Sequence, residues 1–284
     1  TIIIPTYNNL ELAEKAIQSV ISQKDVICKI VVTDDSTDNK IDNYCKEINN
    51  ENLFYYHNVP SLGAVKNWNA GLEYVDSTYT IVMHHDECMK DTFYLKQIKE
   101  KFYLGYDVIV SNIEVYIGQK RRMPHFTKFM KMFFIHHPIM LFLSNAIGPC
   151  ACLTIKSEFA CKFNENLHWL VDVDWYYNNC IGKKIKYCHS LYMTSTHGNT
   201  GQITNSLNIP NVLTKDAKIQ ELLSLLNKPI YATGDLNITA DIKNIDVTNL
   251  DGIVKANISK GKINNDVVNK EFKLEKYMTI IFSE

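Results

Sequence analysis

The sequence predicts an α/β chain built on a mostly parallel sheet flanked by helices, with a small β-rich appendage at its C-terminal end. Three observations carry this. Short apolar runs alternate with segments of helical period through the first half, the order expected of successive βαβ units. Those runs stay apolar until they end abruptly in polar residues, as strands covered on both faces do. From Lys228 onward, apolar residues such as Leu236, Ile238, Ile245, Val247 and Leu250 recur between Asn, Asp and Gly, a pattern of short strands and turns.

Ile2 to Ile4 opens the chain as a strand, with no basic leader before it, so no signal peptide is expected. Leu10, Ala13, Ile17, Val20 and Ile21 follow at helical spacing, with Asn8 or Asn9 available as N-cap. Cys28 to Thr33 is a second strand running into Asp34-Asp35-Ser36-Thr37-Asp38, which offers acceptors and an N-cap for a helix through Ile48. Leu53 to His57 is a third strand, and Gly63 opens a helix through Val75 that carries Lys66, Asn67, Trp68 and Asn69. Thr80 to Met83 is a fourth strand, delivering His84-His85-Asp86-Glu87. A helix from about Thr92 to Leu104 and a strand from Tyr106 to Ser111 complete this half.

Composition excludes several classes. At 284 residues, with 46% hydrophobic content, the chain can bury a substantial core. Its 30 basic and 31 acidic side chains give no electrostatic case for nucleic acid. No apolar run is long enough to span a bilayer. The 8 cysteines lack metal-type or redox pairing and read as reduced thiols of a cytoplasmic protein.

In an open α/β sheet, ligands bind outside the carboxyl ends of the strands. Four polar features fall there: Pro5-Thr6-Tyr7-Asn8, Asp34-Asp35-Ser36, Gly63 with its polar helix, and His84 to Glu87. Together they resemble the inverting glycosyltransferases of the GT-A fold known as family 2. Pro5-Thr6-Tyr7-Asn8 is similar to the family's Pro-x-Tyr-Asn, Asp34-Asp35-Ser36 to its Asp-Asp-x-Ser without the intervening small residue, and Asn69-Ala70-Gly71 to its Asn-x-Gly. His84-His85-Asp86 aligns with its Asp-x-Asp metal motif, with His84 in place of the first carboxylate. Further on, Asn145-Ala146-Ile147-Gly148-Pro149 looks like the border of the acceptor site, Asp172-Val173-Asp174 like the acidic motif, and Thr196-His197-Gly198 like a His facing the diphosphate or metal.

The resemblance implies a division of labour. Asp172 is the general base, and Asp174 is the lesser candidate two residues on. Pro5, Thr6, Tyr7, Asp35, Lys66, His85 and Asp86 would meet the nucleotide sugar, a UDP-sugar first of all. Asp86 and His197 would hold Mn²⁺ or Mg²⁺. The expected reaction is inverting, metal-dependent transfer of a single hexosyl unit to a glycan or lipid-linked acceptor, in bacterial surface polysaccharide assembly. The Gln-x-x-Arg-Trp signature of processive members is absent, which favours single transfer. The expected organisation is a GT-A domain over 1–228, with a nucleotide-sugar half to about 112 and an acceptor half over about 113–228, then over 229–284 the β-rich appendage or the start of a further domain.

Between Arg121 and Leu143, Phe126, Phe129, Met130, Phe133 and Phe134 follow helical spacing, with Arg121, Arg122, Lys128 and Lys131 interspersed and Pro138 interrupting. Two readings stand: an interfacial segment meeting the inner face of an anionic membrane, or a packing helix beside the acceptor site. Two rivals to the reaction also stand. A sugar-phosphate nucleotidyltransferase would carry a Gly-rich basic loop after the first strand, which Pro5 to Asn9 lacks. A non-catalytic binding module on a decayed transferase fold draws support from His84.

Overall fold

The computed structural model describes residues 1–118, 120–122, 126–167 and 170–197, and, by their backbone, the strands 212–215, 233–246, 249–262 and 279–283. The chain divides into two units, Thr1–Thr200 and Gly201–Glu284.

The first unit holds β1 (Ile2–Thr6), α1 (Leu10–Ile21), β2 (Ile30–Asp34), α2 (Lys40–Ile48), β3 (Leu53–His57), α3 (Ala64–Leu72) and β4 (Tyr79–Val82). It continues with β5 (Glu87–Met89), α4 (Tyr94–Tyr103), β6 (Val108–Ile117), β7 (Lys120–Arg122), α5 (Lys128–His136), β8 (Leu153–Lys156), α6 (Val171–Cys180) and β9 (Ile185–His197). The strands form one sheet in the order β3-β2-β1-β4-β8-β6-β9-β5, with β7 paired to β6. Pairing is parallel from β3 to β4 and again between β6 and β9, and antiparallel where β8 enters between β4 and β6.

Each element follows from its residues. β1, β2 and β4 are buried on both faces, which is why they read as unbroken apolar runs. α1 turns Leu12, Ala13, Ala16, Ile17 and Val20 inward, and its N-cap is Asn9, whose Oδ1 accepts from Leu12 N at 3.1 Å. Fully burying Leu12, Ile17 or Val20 contributes roughly 1.5–3 kcal/mol each. α3 approaches β1 so closely that a Cβ on Gly71 would lie 2.2 Å from Ile3 Cγ2, so only glycine permits the contact. All 8 cysteines are free thiols. Among the described residues, no helix is long and apolar enough to cross a membrane.

Three expectations are corrected. The N-cap of the helix after β2 is not within the Asp34–Asp38 loop but Asn39 just beyond it, whose side chain makes no cap bond, while Asp38 Oδ1 accepts from Lys40 N at 3.1 Å. Both earlier aspartates are turned into the sheet end and bonded there. The helix expected within 121–143 exists as α5, but Lys131 is not on its basic outer face: it is 1% exposed. Beyond residue 229 the strands are long rather than short. β11 (Thr233–Asp246) and β12 (Asn249–Lys262) run 14 residues each, with irregularities in register after Thr233 and Ile242, and Asn and Asp residues such as Asn237 and Asp241 are paired within the ladder. β10 (Val212–Lys215) lies before the boundary drawn from the sequence and pairs with β11, while β13 (Thr279–Ser283) pairs parallel with β12.

Candidate active site

The carboxyl ends of β1, β2 and β4 lie side by side, so three of the four polar features converge on one edge of the sheet. Gly63 adds the fourth, at the start of α3 with φ of 84°.

At the end of β2 both aspartates are engaged. Asp34 Oδ1 accepts from Thr6 Oγ1 at 2.9 Å and from Ser36 N at 3.0 Å, and its Oδ2 accepts from the Tyr55 hydroxyl at 2.8 Å. Asp35 clasps the 58–63 loop. Its Oδ1 accepts from Asn58 Nδ2 at 2.8 Å and Leu62 N at 3.1 Å, and its Oδ2 from Ser61 Oγ at 3.0 Å and Gly63 N at 2.7 Å. A carboxylate has about four acceptor positions, so Asp35 is saturated. Pro5 and Thr6 are buried at the end of β1, whereas Tyr7 is 51% exposed and Lys66 projects from α3 into solvent.

The loop after β4 is held from both sides. His85 Nδ1 lies 3.3 Å from Pro5 O, and Thr196 N donates to Asp86 O at 2.9 Å. β5 then pairs antiparallel with β9, Glu87 opposite Ser195. This brings the backbone of His197 to the same edge; the side chain of His197 and residues 198–200 lie outside the described residues. Glu87, which the sequence reading left without a role, is 2% exposed and faces His84. Its Oε2 accepts from His84 N at 2.9 Å and from Ala151 N at 3.3 Å, and its Oε1 is 3.4 Å from His84 Nδ1.

His84, Asp86 and Glu87 each offer a ligand atom within 4.8 Å of the others. Their chemistry suits a divalent cation. His84 Nε2 is buried without a hydrogen-bond partner, and among the described residues no other residue donates to the Asp86 carboxylate. Glu87 engages the second ring nitrogen of His84, as an outer carboxylate commonly does for a metal-bound imidazole. The Asp86 carboxylate and the His84 imidazole are oxygen and nitrogen donors of the kind a divalent cation takes. Burial, with the like charge of Glu87, raises the Asp86 carboxyl above its ordinary range against the pull of His84 and His85. Burial disfavours the charged His84 ring, but Glu87, Asp86 and Asp172 outweigh it and raise its pKa. His85 is lowered, burial first.

Asp172 sits in the first turn of α6, where the helix dipole favours negative charge. Its Oδ2 accepts from Asn145 Nδ2 at 2.7 Å. Burial raises its carboxyl above the ordinary value of 3.8, opposed by the backbone N–H groups of Val173 and Asp172, by His84 and by Asn145. His84 and Asp172 thus sense each other's charge, which ties the metal-type loop to the start of α6. Asp174 is engaged on its own helix, with Asn178 Nδ2 donating to its Oδ2 at 3.3 Å. An aromatic column backs the site: Trp68 lies 4.5 Å from the His84 ring and 5.2 Å from Phe163, which stacks on Trp175 at 4.6 Å.

Sequence reasoning did not single out Glu87 or Asn145 as site residues. For Glu87 the available signal was the carboxylate next to Asp86 at the head of a short strand, and for Asn145 its place in the Asn145–Pro149 stretch that resembles the border of the acceptor site.

Comparison with known proteins places this architecture. Residues 1–160 match the family described as Glycosyl transferase family 2. An uncharacterized glycosyltransferase of Mycoplasma genitalium, MG025, is 29% identical over 145 residues, which is 47% of this chain and 44% of the relative. The chain therefore spans less than half the length of that relative. Among solved structures, S. aureus TarS 1–349 in complex with UDP-GlcNAc is similar with a TM-score of 0.61 and 18% identity, covering 81% of this chain and 67% of that one. The same protein in complex with UDP gives a TM-score of 0.57 at 19% identity, covering 69% and 60%. At such identities the likeness is one of fold.

Proposed function

We propose that this chain, which belongs to glycosyl transferase family 2, transfers a single hexosyl unit from a nucleoside-diphosphate sugar, with inversion, to a hydroxyl of a glycan or lipid-linked acceptor. One observation carries the reading: a carboxylate at a helix start, Asp172, is held by Asn145 at 2.7 Å and electrostatically coupled to the His84–Glu87 loop. A base and a cation-type site are what this reaction needs together.

In this scheme the acceptor oxygen attacks the anomeric carbon while the bond from that carbon to the diphosphate oxygen breaks. The acceptor proton passes to Asp172, and the nucleoside diphosphate leaves from the opposite face. His84 and Asp86 would hold the divalent cation, with Glu87 orienting His84 and His197 a further candidate ligand. Such a cation supplies neutralisation of the charge growing on the leaving diphosphate. The nucleobase would lie against Tyr7 beside Pro5 and Thr6. A base N–H reaching Asp35 would replace one of its four donors, and the Ser61 hydroxyl is the exchangeable one because it can turn to water. Lys66 is free to approach the diphosphate.

UDP-sugars are the favoured donors, since TarS was solved with UDP-GlcNAc and with UDP. Thermal-shift screening of nucleotide sugars with Mn²⁺ tests this. At a ligand concentration of about 100 Kd, stabilisation of about 2.7 kcal/mol is expected for the true donor. A screen in which no nucleoside diphosphate or its sugar raises Tm would sink the reading.

The acceptor side points toward a membrane surface. Phe129 is 80% exposed, and Met130, Met132, Phe133 and Leu143 also face solvent. No Asp or Glu occurs between Glu114 and Glu158, whereas Lys120 and Lys128 lie exposed in that stretch. Apolar exposure beside the solvent-facing Lys120 and Lys128 suits an anionic lipid surface, and a peripheral position on the cytoplasmic face of the membrane. Phe129→Ser combined with Phe133→Ser should weaken sedimentation with phosphatidylglycerol vesicles and leave UDP binding unchanged. Wild-type protein that ignores such vesicles would leave α5 a packing helix only.

A further inference from the structure

We propose that Lys131 is a positioning residue for the base: its buried ammonium fixes the peptide that orients Asn145, and Asn145 holds Asp172. This rests on the assignment of Asp172 as the base. Lys131 Nζ donates to Ile147 O at 3.1 Å and to Ser111 O at 3.3 Å, and lies 5.1 Å from the centroid of the Tyr187 ring. Among the described residues no carboxylate forms an ion pair with it. Burying an ammonium against carbonyls and one ring is costly, and a hydrophobic side chain of similar volume commonly serves stability as well or better. What only a multiple donor can do here is hold two carbonyls on separate segments.

The peptide between Ile147 and Gly148 is the object held. Lys131 takes its C=O end, and Asn145 Oδ1 accepts from its N–H end at 2.9 Å and from Ile147 N at 3.2 Å. Asn145 Nδ2 then donates to Gly148 O at 3.0 Å and to Asp172 Oδ2 at 2.7 Å. Gly148 has φ of 105°, and a peptide beside such a glycine can turn over with little steric resistance. With the peptide reversed, Asn145 Oδ1 would lose the Gly148 N–H, the shorter of its two donors, and the amide would be held with its Nδ2 toward the carboxylate only by Ile147 N and Gly148 O. An oxygen there would repel Asp172 and shift it.

The test is a double-mutant cycle on Lys131→Met and Asn145→Ala, with UDP-GlcNAc as donor, water as acceptor and UDP release as readout. Each single variant should lower kcat by roughly 10- to 100-fold, the scale of misplacing a reacting group by about 1 Å, with KM and UDP affinity held near wild type. The double variant should be no slower than the slower single one, because both changes break one chain of contacts. Multiplying effects, or a Lys131→Met enzyme as fast as wild type, would overturn the inference. Lys131→Gln keeps N–H donors without the charge: recovery toward wild type supports the grip, and a rate no better than that of Lys131→Met counts against it. Wild-type protein that releases no nucleoside diphosphate from UDP-GlcNAc or from any nucleotide sugar that raises its Tm would instead sink the transferase reading on which all this rests.

Discussion

Asp172→Asn is expected to bind UDP and its sugars as wild type does while transferring at a small fraction of the normal rate. Asparagine keeps the shape and the hydrogen bond site facing Asn145 but cannot take a proton. Positioned general bases are worth about 10²–10⁴-fold, or roughly 3–5 kcal/mol at the transition state. Asp174→Asn should be milder, since that carboxylate is engaged with Asn178 on its own helix. The pH dependence follows from burial. A base must be ionised, and the Asp172 carboxyl is raised above 3.8, so the acid limb of kcat/KM should lie above the range of an exposed aspartate and vanish in the Asn variant. Stability carries the opposite sign. Below the unfolded value both states hold the proton and Asp172 makes no difference. As pH rises through the raised folded value, the ionised buried carboxylate increasingly opposes folding. Asp172→Asn should therefore have the higher Tm at neutral pH, with the difference fading in acid. Unimpaired transfer by Asp172→Asn, measured at saturating donor, would remove the base from α6.

Asp86→Ala is expected to lose both Mn²⁺-dependent stabilisation by UDP and nearly all transfer, by roughly 10³-fold if the cation supplies several kcal/mol of charge stabilisation. The reason is the shape of the site. Glu87 already accepts from His84 N and Ala151 N, which leaves Asp86 the carboxylate without a donor from another residue among those described. Glu87→Gln should act differently, loosening His84 rather than deleting a ligand, and so weaken metal affinity by about 10- to 100-fold. Titration with Mn²⁺, read by the UDP-induced rise in Tm, separates the two variants. Full turnover of wild-type enzyme in excess chelator would exclude the cation from the reaction.

Much of the fold was legible before any coordinates. The boundaries of β3, the helical face of α1 with its cap at Asn8 or Asn9, and the helix opened by Gly63 follow from residues close in sequence. Hydrophobic period and capping chemistry act over one or two turns, so they leave their mark in the chain itself. The order of strand-end motifs likewise identified the family that residues 1–160 match. The strand β5 escaped notice because three residues carry too little pattern, and its pairing depends on β9 more than a hundred positions away.

The partners of buried polar groups are a different matter. Asp35 reads in sequence as a free acceptor at a strand end, yet it is saturated by Asn58, Ser61, Leu62 and Gly63. Lys131 reads as one more cation on an amphipathic face, yet it lies in the core between β6 and the 145–149 loop. Glu87 and Asn145 acquire their roles only because β5 pairs with β9 and α6 packs beside the 145–149 loop. By itself the sequence determined which segments are strands and helices, and which polar residues stand at the sheet's carboxyl edge, because those depend on local period. Which of these polar groups is satisfied by the chain and which remains open to a ligand was decided only by the tertiary structure. A buried donor or acceptor takes whatever partner the packing of distant segments brings within 3 Å or so, and no local spacing encodes that choice.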